Sequence, residues 1–261
     1  MTKITDFEYK IREEQLIMKS ETVQTRKVTE GQLDDIHQLL RQAIPKDLSF
    51  DDAQIGIIGA KKSFKDDIRA VFEKHSIEPT KKLLNKWQQF YRTEFGIEYD
   101  FSKLKVSVKP EGLYRLIVIA KGITAQQVYT QCAQLFNCWK YTDKSLDEVV
   151  TFNERDSKNG HYAIWVRDVQ EADEVHKNKS ANTMQEVNLK TETLLERLLH
   201  ELDFYKETGK HLDVRNITLC AGSRDSGGDV PSVSWSDDGL FVDWYGPTLA
   251  CVNLRVREVS S

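Results

Sequence analysis

Apolar residues recur every three or four places along the first hundred positions, and mostly every second place beyond them. Leu33, Ile36, Leu40 and Ala43 follow a Thr29/Gln32 capping pair, which predicts a helix that Pro45 stops. A second helix is predicted from about Ser63 through Phe64, Ile68, Val71 and Phe72. Pro79 suits the first turn of a third, with Leu83, Leu84, Trp87, Phe90, Tyr91 and Phe95 on its apolar side and Gly96 at its end. Aromatic residues at this spacing read as a packing face.

Near residue 100 the period becomes two. Leu104, Val106 and Val108 alternate with Lys103, Lys105, Ser107 and Lys109, which predicts a strand with one wet face. Leu113 to Ala120 predicts a second strand, whose unbroken apolar end implies burial on both faces and a central position. Thr124 and Gln127 open a helix carrying Val128, Cys132 and Leu135. Residues 137–160 read as a polar surface excursion, 161–168 as a strand, and 168–190 as a polar loop or linker.

The most regular helix follows Thr191 or Thr193, bears Leu194, Leu195, Leu198, Leu199 and Leu202, and ends at Gly209. Glu196, His200, Asp203 and Glu207 share its other side, which reads as a solvated face. Strands are then predicted over 217–220, 232–236, 240–245 and 251–256, with Asp238-Gly239 as a two-residue type I′ turn. Trp235 and Trp244 read as packing residues, and as cross-strand neighbours if they face one side.

These elements predict an α+β protein. A mainly helical region, 1–98, precedes a mixed and largely antiparallel sheet region, 99–261, packed by the helices near 124–136 and 191–208. The pattern leaves open whether these are two domains or one continuous core.

Composition narrows the classes. A chain of 261 residues, 39% hydrophobic, can bury one large core or two modest ones. Its longest apolar run, Leu116 to Ala120, is far too short for a bilayer, and the first residues lack the apolar centre of a secretory signal. Cys132, Cys138, Cys220 and Cys251 form no C-x-x-C pair, so neither a zinc site nor a disulfide framework is indicated. The expectation is a soluble, cytoplasmic protein with no membrane partner. With a net charge of −4 and basic residues interleaved with acidic ones, nucleic acid is not favoured as a partner either.

Asp225-Ser226-Gly227-Gly228 resembles the nucleophile segment of trypsin-like serine proteases. Arg224 stands where that family has glycine, Asp229 stands where it has proline, and the early histidine, His37, lies in a predicted helix. The segment 221–230 therefore reads as a glycine-bearing connection between strands. The stretch "TRKVTEGQLDDIHQLLRQ" is similar to the first strand and helix of GNAT-family acetyltransferases, but the glycine-rich turn that family uses for acetyl-CoA does not follow. Lys121-Gly122-Ile123-Thr124 has the make-up of an anion-holding helix start.

Two loops gather the remaining polar chemistry. One is "NERDSKNGHYAIWVRD", with Glu154, Arg155, Asp156, His161, Arg167 and Asp168; the other is 221–230, with Ser223, Arg224, Asp225 and Ser226. With no complete nucleophile, metal or cofactor signature, the favoured reading is a regulatory or binding module that recognises a protein partner or small ligand. It would use Lys121, Arg155, Arg167, Asp168, Ser223, Arg224 and Ser226. The alternative is a hydrolase or nuclease-like enzyme with Glu154, Asp156, His161 and Asp225 as catalytic groups.

Overall fold

The amphipathic stretches of the first third are helices: α1 (Glu30–Ala43), α2 (Lys61–Lys74) and α3 (Ile77–Phe95). The computed structural model describes residues 30–53, 57, 61–74 and 77–261, so the Thr29 cap lies outside the described residues. The chain divides into two compact units, with the boundary between Ile68 and Arg69, inside α2. In the first unit α1 buries none of its residues, and Leu33, Leu39 and Leu40 are exposed.

The second unit is α+β. Its elements in chain order are α3, β1 (Arg115–Ile119), α4 (Ala125–Leu135), β2 (Asn137–Lys140), α5 (Leu146–Val149), β3 (Val150–Asn153), β4 (Tyr162–Val166), α6 (Ala181–Glu186), α7 (Leu194–Thr208), β5 (Ile217–Leu219), β6 (Ser223–Asp225), β7 (Val230–Ser236), β8 (Gly239–Tyr245) and β9 (Leu254–Arg255). A five-stranded sheet runs β2-β8-β7-β5-β9. Its β8-β7 and β7-β5 pairs are antiparallel, and β2 and β9 add parallel edges. Two antiparallel pairs, β1-β4 and β3-β6, complete the strands.

Strand β1 is buried at every position, but it is not central in a wide sheet; it pairs with β4 alone. Helix α3 covers its other edge. The Trp87 indole donates to Leu116 O at 2.9 Å, the Tyr91 hydroxyl donates to Val118 O at 2.9 Å, and Tyr91 also accepts from Ala120 N at 3.1 Å. The aromatic stripe thus packs the core and satisfies a strand edge that would otherwise be buried unpaired. Tyr91→Phe keeps the ring and removes both bonds, so it is expected to cost about 1–3 kcal/mol. Urea denaturation followed by tryptophan fluorescence checks this, and an unchanged midpoint would count against the account.

Three expectations are corrected. Leu104 to Val108 forms no strand, because β4 is already paired with β1 on one side and bridged to Ser260 on the other. Leu104 and Val106 still pack on the core, and Ser107 O accepts the Trp165 indole at 3.0 Å. Residues 137–160 are more ordered than a surface excursion, since they hold β2, α5 and β3. The β7–β8 turn is one residue earlier than expected: Asp237 (φ 47°) and Asp238 (φ 60°) occupy it and Gly239 opens β8. Aspartate tolerates the left-handed region well enough for this. The resulting register pairs Trp235 with Leu240 and Trp244 with Pro231, so the two tryptophans sit at opposite ends of the hairpin and are not neighbours.

Helix α7 carries the largest correction. Thr193 and Glu196 form its capping box, and Gly209, at φ 67°, ends it. The helix contacts β7 of the large sheet, β1 of the small one, and α4. Sheets on two sides leave no solvated face, and Glu196, Arg197, His200, Glu201 and Asp203 are as buried as the leucines. Of the four residues expected on a solvated face, only Glu207, in the exposed last turn, reaches solvent. Buried charges need partners, and these come from far along the chain. Arg115 on β1 meets Asp203 and Glu207, both at 2.5 Å, and Asp168 at 2.8 Å. Arg197 meets Glu201 at 2.9 Å and Asp213 at 2.8 Å, and Arg257 meets Asp213 at 2.7 Å. Among the described residues no helix is long and apolar enough to cross a membrane.

Candidate functional site

The start of α7 organises the surface where the two predicted loops meet. Ser223 on β6 is buried; its hydroxyl accepts from Leu194 N at 3.0 Å and donates to Asn153 Oδ1 on β3 at 2.6 Å. Gly222 donates to Glu192 O, and its carbonyl accepts from Glu154 N at 2.8 Å. This approach requires glycine, because a Cβ there would lie 2.9 Å from Thr191 O. Main chain from three segments is thereby clamped together.

Two cavities open on this junction. The first, about 150 Å³, is walled by Phe152, Glu154, Met184, Leu189, Thr191 and Arg224. The lining is mixed: Phe152, Met184 and Leu189 are apolar, and its charged members are Glu154, just after β3, and Arg224 on β6. The second, about 70 Å³, is lined by Leu146, Asp147, Asn153, Arg155, Asp156 and Lys158, among others. Arg155 joins them: its guanidinium donates to both oxygens of Glu196, at 2.7 and 2.9 Å, and to the Thr191 carbonyl at 2.5 Å. Burial opposes the charge on Arg155, yet Glu196 outweighs burial and holds the guanidinium above its ordinary value. Arg155 is therefore a fixed strut.

Arg224 differs in kind. It is half-buried and donates through Nη1 to Ala221 O at 2.6 Å and Ser223 O at 2.7 Å. Among the described residues its Nε and Nη2 form no hydrogen bond, and no carboxylate lies within ion-pair distance. Burial lowers its pKa from the ordinary value, opposed by the charge of Glu154. The other buried and half-buried arginines of residues 69–261 each pair with an Asp or Glu.

The other predicted residues serve separate tasks. Asp156 caps a 3₁₀ turn by accepting from Lys158 N at 2.9 Å. His161 accepts from Lys121 N at 2.8 Å and packs edge-on against Tyr99 and Phe101; burial, then the charge of Lys121, lowers its pKa. The amides at the start of α4 are spoken for. Thr124 and Gln127 close a capping box, Gly122 N donates to Ser157 O, and Gln126 N donates to Asp147 at 3.1 Å. Asp225 accepts from Gly227 N and Asp229 N, a local turn, and Ser226 is exposed within it with no hydrogen bond to an imidazole among the described residues. Arg167 binds Asp173 at 2.5 Å and Glu258 at 2.8 Å, and Asp168 binds Arg115.

Glu154 and Arg224 are thus brought to one cavity, and Arg155 and Asp156 to the next, while His161 and Asp225 line neither. Sequence reasoning missed the third wall, Ala181 to Thr191, because it lies in a stretch that reads as a polar linker. The signal was Ala181 and Met184 at helical spacing, with Ser180 as the cap and Leu189 just beyond the helix. No protein-family model matches the chain, and searches of the curated proteins and of the solved structures return no match.

Proposed function

We propose that the chain is a ligand-binding module whose site is the 150 Å³ cavity between the β3–β6 pair and residues 181–191. Its ligand is a small molecule with a carboxylate or phosphate for Arg224 and a compact apolar body for Phe152, Met184 and Leu189. One observation carries this reading: Arg224 is partly desolvated at a cavity wall, yet it is neutralised by nothing closer than the field of Glu154. A cation in that position gains from an anion that completes its planar fork. Glu154, across the rim, adds selectivity for a ligand that also bears a donor or a cation.

The hydrolase alternative has less support. Glu154, Asp156, His161 and Asp225 each hold a different local structure, and general acid–base work needs them within reach of one substrate.

A thermal-shift screen of small carboxylates and phosphates tests the proposal. A ligand present at a hundred times its Kd stabilises by about 2.7 kcal/mol, which is several degrees for a unit of this size. The expected result is a compound that raises the melting temperature of the wild type and not that of Arg224→Gln. If no compound raises it, or both proteins respond alike, the reading fails.

A further inference from the structure

A second group of polar side chains lies away from that cavity, where the loop after β4 meets the C-terminal segment. Asp173 opens a 3₁₀ turn, Glu174–His176, in which His176 N donates to Asp173 O at 3.0 Å. Side chains three residues apart eclipse in such a turn, so Asp173 and His176 project to one side. Glu258 joins them from 82 residues farther on, its amide donating to Asp173 Oδ2 at 2.8 Å. One ligating atom from each of the three lies within 4.8 Å of the other two.

Two features set this group apart from an ordinary ion-pair cluster. An aspartate at the head of a helical turn usually accepts from the amides that follow; Asp173 makes no such bond. Its side chain, 1% exposed, turns inward, and Oδ1 is buried with no hydrogen-bond partner. Both ring nitrogens of His176 are likewise buried without a hydrogen bond, with Nε2 3.5 Å from Glu258 Oε2. Burying such atoms unpaired is unfavourable, and a cation bound among them would relieve that cost.

We infer that Asp173, His176 and Glu258 form a binding site for a divalent first-row transition ion, of the zinc or manganese class. One imidazole nitrogen and two carboxylate oxygens suit these ions, and three protein ligands leave positions open for water or an exogenous ligand. Arg167 holds Asp173 Oδ2 and Glu258 Oε2. It leaves Asp173 Oδ1 to the metal and acts as the orienting partner behind the carboxylates.

Isothermal titration of the intact protein with zinc chloride is expected to show one site per chain of micromolar affinity or better. His176→Gln should weaken that affinity about tenfold or more, with little loss of fold, since the imidazole makes no hydrogen bond inside the chain. Cobalt(II) supplies a second readout. Its visible spectrum should show a bound, nitrogen- and oxygen-ligated ion with no thiolate charge-transfer band, which separates this site from the half-buried Cys138 and Cys251. Absence of zinc binding, equal affinity in His176→Gln, or a thiolate band would each overturn the assignment.

Discussion

Asp213→Ala is expected to leave the second unit close to unfolded, with a loss of at least about 3–5 kcal/mol. Asp213 is fully buried and accepts from five donors. Arg197 contributes two, at 3.1 and 2.8 Å; Arg257 and Ala172 N contribute one each, at 2.7 and 2.8 Å; the Thr218 hydroxyl contributes the fifth. Removing it strands two buried guanidinium groups. Arg197 keeps Glu201, but Arg257 keeps only the carbonyls of Val169 and Gln170 and the Thr218 hydroxyl. A loss of that size rivals the whole stability of many domains. Asp213→Asn isolates the charge, since asparagine fits the same space and tolerates the left-handed backbone found here at φ 55°. It should be destabilising yet milder than alanine. Urea midpoints within about 1 kcal/mol of wild type for both variants would contradict this.

The same residue shows what can be read from the chain and what cannot. Caps and helix ends are local chemistry: Thr124 with Gln127, Thr193 with Glu196 and the glycines at 96 and 209 stand where their spacing puts them. The two faces of α7 are local too. What opposes the polar face is not, because its partners include Arg115, Arg155 and Asp213, and no periodicity connects them. Strands β2, β3 and β6 escaped notice for a related reason. At three or four residues they carry too little alternation, and their partners lie 70 to about 100 residues away. Glycines and polar residues marked the loops at 153–161 and 221–230, but not that Glu154 and Arg224 line one cavity while His161 faces Tyr99 and Phe101.

Glu192→Gln is expected to change how stability depends on pH. Glu192 is wholly buried, and its carboxyl is pushed up to about 8; burial is the main cause, opposed by Arg257 and Arg197 and reinforced by Glu196 and Asp213. Its Oε1 lies 2.8 Å from His200 Nδ1. Burial, then Arg257, Arg197 and Arg115, hold His200 well below the ordinary histidine value, so burial favours the uncharged form of both partners. Because the folded pKa of Glu192 exceeds its unfolded value, folding takes up a proton. The contribution is complete below about pH 4.5 and is lost as pH rises through about 8. His200 acts in the opposite sense: its contribution is present above its unfolded value and is lost as pH falls. Glutamine cannot ionise, so the alkaline loss should disappear, and the variant should gain on the wild type by about 1.4 kcal/mol for each pH unit across the titrating window. Urea midpoints measured from pH 5 to about 9 read the difference directly. Parallel curves for the two proteins would mean that Glu192 is ionised in the fold, and that its interaction with His200 is a charged pair instead.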